Sequence, residues 1–152
     1  LNNGCIEQFG SPIDLYLRPK SAFVAEFFGE INVLEGIVQD GSVKTVLGTF
    51  KCSKKFNNKK VKIVIRDEAI KLFSANKINL NIKDKTNLIK SSYYGYVMET
   101  RLLAGSSLVH LSLKVDELNF HIHARIPGLN FFKVDEKVVV ETDPTQIFIF
   151  EQ

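Results

Sequence analysis

Hydrophobic and polar residues alternate one by one along most of the chain after residue 33. A period of two is typical of β-strands with one buried and one solvated face, whereas an amphipathic helix repeats every three to four residues. The alternating segments are short and are separated by turn residues such as Asp40-Gly41, a strong hairpin signal. The sequence therefore predicts a mainly β fold. A small barrel or sandwich is the favoured arrangement of the strands, because it leaves few sheet edges exposed.

The predicted strands form two sets. The first set comprises residues 33–39, 42–50, 61–66 and 78–82. A polar, lysine-rich connection near 83–92 leads to the second set, which comprises residues 93–103, 107–114, 118–126, 137–142 and 146–150. Strands of this number and length favour an oligonucleotide/oligosaccharide-binding-like β-barrel, or two half-barrels.

The N-terminal segment before these strands follows a helical pattern. Ser11 followed by Pro12 is a good helix start, and Pro19 should end that helix. A second helix is predicted to begin after Ser21 and to end at Gly29. Its apolar residues recur at helical spacing and form an aromatic face: Phe23, Val24, Phe27 and Phe28.

Positive charge is concentrated in the middle of the chain. Residues 44–90 carry 13 basic and 3 acidic side chains, whereas the whole chain has a net charge of only +3. A basic block can bind nucleic acid, so a freestanding nucleic-acid-binding β-barrel is the alternative function. Single-strand binding also needs stacking aromatic residues, which do not accompany these lysines, and we therefore expect no nucleic-acid partner.

Motifs for catalysis by this chain alone are missing. The stretch "GIVQDGS" has Gly36 and Gly41 at the separation of a phosphate loop, but Ser42 stands where that loop requires lysine. It is better interpreted as a hairpin turn. Cys5 and Cys52 have no spacing typical of a zinc knuckle or a disulfide framework. We predict no catalytic residue and no cofactor within the chain.

Three histidines are predicted to share one sheet face. In the strand 107–114 the apolar positions point inward and place His110 on the outer face. The same alternation in the strand 118–126 places His121 and His123 on the outer face.

A hairpin turn at Asp116-Glu117 would set His110 opposite His123, with Cβ atoms about 5 Å apart. His110, His121 and His123 are therefore candidate metal ligands. Alternatively, they protonate together as a pH-sensitive patch, or they are ordinary residues of a solvent-exposed sheet face. The neighbouring Arg125 adds positive charge that a metal ion would disfavour.

A set of residues at fixed spacing between positions 4 and 32 resembles a known family. The matching residues are Gly4, Ile6, Gln8, Gly10, Ser11, Pro12, Leu15, Tyr16, Pro19, Phe23, Val24, Ala25, Phe27, Gly29 and Asn32. They resemble the end of the nucleotide-binding domain in the ATP-binding subunits of ABC importers.

The rest of the chain resembles the C-terminal regulatory region of that family, the TOBE-type barrel. "VKIVIRDEAIKL" (61–72) is similar to its V-x-I-R-P-E-x-I-x-L strand, and residues 95–113 and 134–150 are similar to later strands. Asp67 stands where the family has proline, and Asp135-Glu136 stands where it has Gly-Asp.

This resemblance implies a domain organisation. Residues 1–32 would be the C-terminal tail of a nucleotide-binding domain, and 33–152 a TOBE-type regulatory domain. The ATPase motifs would lie before Leu1, in a catalytic domain that binds ATP and magnesium. This chain would then be a piece of a longer protein. The intact subunit would hydrolyse ATP, whereas this chain alone should be inactive.

The resemblance also implies partners and a location. The expected partners are a second copy of the subunit, transmembrane permease subunits bound through the missing domain, and a regulatory ligand. The subunit would act at the cytoplasmic face of the inner membrane, although the chain itself is expected to be soluble. The implied solute is either ferric iron or a polyamine, with "FFGEIN" (27–32) closer to the polyamine importers.

Overall fold

A computed structural model describes residues 2–75 and 93–152. The chain divides into two compact units. The first unit comprises Leu1–Thr45, Thr49–Arg66 and Pro144–Gln152, and the second comprises Val46–Gly48 and Asp67–Asp143. The prediction that the domains are 1–32 and 33–152 stays a prediction.

Two short helices form where the serine caps predict them. They are α1 (Pro12–Leu17) and α2 (Ala22–Phe27). The hydroxyl of Ser11 accepts a hydrogen bond from the backbone N–H of Asp14 at 3.2 Å, and Ser21 caps α2 in the same way. These caps satisfy backbone donors that the helices leave unpaired. No helix in the described part of the chain is long and apolar enough to cross a membrane.

The described residues are mainly β, as predicted. In chain order the strands are β1 (Ile31–Gln39), β2 (Ser42–Thr45), β3 (Gly48–Lys51), β4 (Lys60–Arg66), β5 (Ile70–Ser74), β6 (Tyr93–Leu103), β7 (Ser106–Val115), β8 (Leu118–Pro127), β9 (Lys137–Thr142) and β10 (Ile147–Glu151). Single 3-10 turns lie at Lys54–Phe56, Asp67–Ala69 and Pro144–Gln146. Among these strands, one sheet has the order β10-β4-β1-β2-β3 and the other the order β5-β9-β6-β7-β8.

The predicted hairpin at Asp40-Gly41 is confirmed. Gln39 pairs with Ser42 across the turn, and Asp40 and Gly41 have φ values of 49° and 70°. Positive φ at both central residues is what a two-residue hairpin turn of type I′ requires. The stretch that superficially resembles a phosphate loop is thus the end of β1, a turn and the start of β2.

Two strand predictions have other outcomes, and one observed strand was not predicted. The single strand predicted at 42–50 is wrong, because the chain leaves β2 after Thr45 and re-enters β3 at Gly48, whose φ is +126°. β5 was not predicted at all. The strand predicted at 78–82 and the connection near 83–92 lie outside the described residues.

The first unit buries the apolar faces of β1, β2 and β4. The side chains of Val38, Val43 and Ile63 are completely buried. Gly36 lets β2 approach β1 closely, because a Cβ atom built on Gly36 would lie only 2.5 Å from Cγ2 of Val43. A larger residue at this position would push the strands apart.

The sheet of the second unit is curled, and its core lies on the inward face of β7 and β8. The inward side chains of these strands are almost fully buried: Val109, Leu111, Leu113, Ile122 and Ala124. The edge strands β5 and β8 are close neighbours. Nε of Arg125 on β8 donates to Oδ2 of Asp67, just before β5, at 2.9 Å. This ion pair links the two edges of the sheet.

Candidate functional site

The β7–β8 hairpin places the three histidines together. Val115 pairs with Leu118 next to the turn, and continuing the same register pairs His110 with His123. His121, two residues before His123, pairs with Ser112. The predicted register is thus confirmed. Because alternate side chains point to opposite faces of a sheet, all three imidazoles lie on the face opposite the apolar core.

The imidazole rings are in direct contact. Nδ1 of His110 lies 3.2 Å from Nε2 of His121. The ring centroid of His123 lies 4.5 Å from that of His110 and 4.8 Å from that of His121. One nitrogen from each residue can be chosen so that all three lie within 4.8 Å of one another. His121 is exposed, whereas His110 and His123 are half-buried.

The surroundings of His110 favour a neutral ring. Partial burial lowers the pKa of His110, and the positive charges of His123, His121 and Arg101 lower it further, while Glu99 acts in the opposite direction. Nε2 of His110 is buried and has no hydrogen-bond partner among the described residues. A neutral imidazole is the form that binds metal ions.

The two arginines next to the cluster are neutralised by carboxylates. Arg101 donates to both carboxylate oxygens of Glu99, at 2.9 and 3.0 Å. Arg125, which the sequence presents as an unfavourable charge, is paired with the buried carboxylate of Asp67. The electrostatic argument against a cation at the histidine face is therefore weaker than the sequence suggests.

Sequence reasoning missed the structural importance of Arg66. Its side chain is buried in the first unit, where Nη2 donates to the carbonyl oxygen of Tyr16 at 2.8 Å and Nη1 to that of Ala25 at 3.4 Å. The only available signal was a charged residue at the end of an apolar strand. Arg66 therefore connects β4 to the helical segment.

Comparisons with known proteins identify the family. No protein-family model matches the sequence. The sequence is 36% identical over 135 residues to the spermidine/putrescine import ATP-binding protein PotA of Acetivibrio thermocellus, an alignment that covers 80% of this chain and 38% of that protein. The chain belongs to the family of ABC-importer ATP-binding subunits. It resembles the C-terminal, TOBE-type region of that family, as predicted.

Two further relatives in this family carry the same name. The PotA of Desulfitobacterium hafniense is 36% identical over 129 residues, covering 83% of this chain and 36% of that protein. The PotA of Clostridium novyi is 31% identical over 138 residues, covering 89% and 38%. The chain thus spans less than two fifths of the length of these ABC-importer subunits.

A solved structure supports the fold of this region. The cytoplasmic molybdate-binding protein ModG, in a form with molybdate bound, matches with a TM-score of 0.55, covering 78% of this chain and 94% of that chain. At 14% sequence identity this similarity shows the fold alone. The predicted TOBE-type, oligonucleotide/oligosaccharide-binding-like fold is confirmed.

Proposed function

We propose that this chain is the C-terminal regulatory and dimerisation region of the ATP-binding subunit of a polyamine importer. The observation that supports this proposal is the 31–36% sequence identity to the three PotA proteins, each named for import of spermidine and putrescine. These names favour a polyamine over ferric iron as the solute. They also disfavour the alternative of a freestanding nucleic-acid-binding barrel.

The exposed apolar side chains of the helical segment support the proposal that another domain packs against this segment in the intact protein. Val24 and Ala25 of α2 are buried within the first unit, whereas Phe27 on the same helix is 79% exposed and Phe9 is 95% exposed. Further exposed apolar side chains of the segment are Ile6, Ile13 and Leu17. An apolar patch of this kind is typical of a surface that another domain covers. The proposed occupant is the nucleotide-binding domain to which residues 1–32 would belong.

The proposed regulatory role follows from the transport cycle. Two nucleotide-binding domains separate and close in each cycle, and a barrel attached to each can hold its twin while the ATP sites are open. Such a tether raises the effective concentration of the two ATP-binding domains. ATP and magnesium would bind in the nucleotide-binding domain, which also carries the contact to the permease subunits at the cytoplasmic face of the membrane.

The gene sequence upstream of Leu1 tests the proposal most directly. We expect a G-x-x-x-x-G-K-[ST] phosphate loop, a signature loop and a switch histidine in the same reading frame. A start codon close to Leu1 would contradict the proposal and would favour the nucleic-acid alternative. Salt-dependent binding of labelled single-stranded DNA would then be the next measurement.

A chimaera tests the solute and the coupling. The matching segment of the Acetivibrio thermocellus PotA would be replaced by this chain, and the chimaera reconstituted with its permease subunits in vesicles. We expect ATP-dependent uptake of labelled spermidine and no uptake of ferric iron. The matched control carries an unrelated small β-barrel in the same place. A chimaera that hydrolyses ATP but transports no better than this control would contradict the proposal.

A further inference from the structure

We propose that His110, His121 and His123 form a binding site for a divalent transition-metal ion of the zinc class. The site lies on the outer face of the β7–β8 hairpin. It goes beyond the proposed function in polyamine transport.

The spacing of the rings suits a tetrahedral ion. Two nitrogens that each lie about 2.0–2.1 Å from a tetrahedral zinc ion are about 3.3 Å apart. Nδ1 of His110 and Nε2 of His121 are already 3.2 Å apart. One ligand nitrogen from each of the three residues lies within 4.8 Å of the others, so a bound ion has to draw the third nitrogen inward to complete a three-nitrogen site.

The donor chemistry selects the class of ion. Three imidazoles without a carboxylate suit zinc, copper or nickel, whereas magnesium and calcium prefer oxygen ligands. A fourth position remains for water or another ligand, because the ring of His121 is exposed on the outer face.

The backbone and the nearby charges hold the site in place. His110 and His123 are directly paired in the β7–β8 ladder, so their Cα positions are fixed by the same hydrogen bonds that fix the hairpin. The two nearest guanidinium groups are each paired with a carboxylate, Arg101 with Glu99 and Arg125 with Asp67. A divalent cation therefore does not meet an uncompensated arginine at either side.

Metal competition with an untagged chain tests the proposal. The protein, freed of metal by a chelator, would be titrated with zinc in competition with a chromophoric chelator. We expect one zinc ion per chain, with affinity well above that of the buffer. His121→Ala should reduce this affinity by at least the roughly 10–100-fold that loss of an outer-shell partner costs. Because His121 is exposed, this variant should keep the metal-free melting temperature.

Two controls locate the ion. Asn119→Ala alters an exposed residue on the same face of β8 and should leave the affinity unchanged. The visible bands of the cobalt-loaded protein should show tetrahedral coordination, and its near-ultraviolet spectrum should lack a thiolate charge-transfer band, which would exclude Cys5 and Cys52 as ligands. Wild-type binding no tighter than buffer would overturn the proposal. Binding unchanged in both His121→Ala and His123→Ala, or a thiolate band, would also overturn it.

Discussion

Cζ of Arg66 lies 3.9 Å from the ring centroid of Tyr16, and the same guanidinium donates a hydrogen bond to the carbonyl oxygen of Tyr16 at 2.8 Å. Arg66 is only 2% exposed, so both contacts are shielded from water. A second hydrogen bond reaches the carbonyl oxygen of Ala25 in α2. One side chain at the end of β4 thus fixes the helical segment to the sheet of the first unit.

Arg66→Ala should destabilise the first unit. A desolvated cation–π contact and a charged hydrogen bond each contribute about 2 kcal/mol, and we expect a total loss of about 2–4 kcal/mol in the free energy of unfolding. Urea denaturation measures this loss. Arg18→Ala, at an exposed arginine of the same unit, should change stability by no more than about 0.5 kcal/mol. Equal effects of both substitutions would contradict the proposed role of Arg66.

The parts of the fold that the sequence predicts correctly are those set by residues close together in the sequence. The histidine face follows from a period of two and from one tight turn between β7 and β8, both of which are local signals. Arg66 and Asp67 were missed because their partners Tyr16 and Arg125 lie 50 and 58 positions away, and no local pattern encodes such a pairing.

The strand errors have local causes. β5 is only five residues long and starts directly after the acidic turn Asp67–Ala69, so its alternation is too short to stand out. The break between β2 and β3 was missed because Gly48 was assigned to a strand interior, although its φ is +126°. Glycine is the residue that tolerates such a backbone conformation. Metal binding by the three histidines stays a prediction.

The ion pair between Asp67 and Arg125 should stabilise the second unit. The side chain of Asp67 is 6% exposed and that of Arg125 is 33% exposed. Removing one partner of a buried pair costs roughly 3–5 kcal/mol, and the partial exposure of Arg125 reduces our expectation to about 2–3 kcal/mol for Asp67→Ala. A double-mutant cycle with Arg125→Ala should give a coupling energy of about 1–2 kcal/mol.

The exposed pair Glu99–Arg101 provides the control for this cycle. Both side chains are about half exposed, so solvent screens their interaction. We expect the cycle of Glu99→Ala and Arg101→Ala to show coupling within experimental error. A coupling energy for Asp67 and Arg125 as small as that of the exposed pair would show that the edges of the sheet do not depend on this contact.

Gly36→Ala should destabilise the contact between β1 and β2. The added methyl group would lie 2.5 Å from Cγ2 of Val43, which is completely buried and has little room to move. Overpacking of this kind costs about 1–3 kcal/mol, measurable as a lower midpoint in urea. Gly10→Ala is the matched control, because a Cβ there meets its nearest neighbour at an ordinary 3.6 Å. A stable Gly36→Ala variant would indicate that the strands can separate freely.

The thiol of Cys52 should react slowly with alkylating reagents. Burial raises the pKa of Cys52, so at a given pH below that pKa a smaller fraction is the reactive thiolate. In a Cys5→Ser variant, the pH midpoint of Cys52 modification should lie above the usual thiol value of about 8.5. The rate of Cys52 alkylation should keep rising as the pH passes through about 8.5. Unfolding in urea should lower the midpoint, and an identical midpoint in folded and unfolded protein would contradict the expectation.

Self-association through the barrel should be independent of the exposed phenylalanines. Phe9 and Phe27 belong to the patch that we assign to the missing nucleotide-binding domain, and removing that domain could create an unnatural dimer. Sedimentation equilibrium should therefore show a concentration-dependent dimer both for the wild-type chain and for Phe9→Ser/Phe27→Ser. If this double substitution abolishes the dimer, the dimer forms through the exposed apolar patch and not through the barrel. A chain that stays monomeric at high concentration would contradict the dimerising role of the barrel, while leaving its assignment to an ABC-importer subunit unaffected.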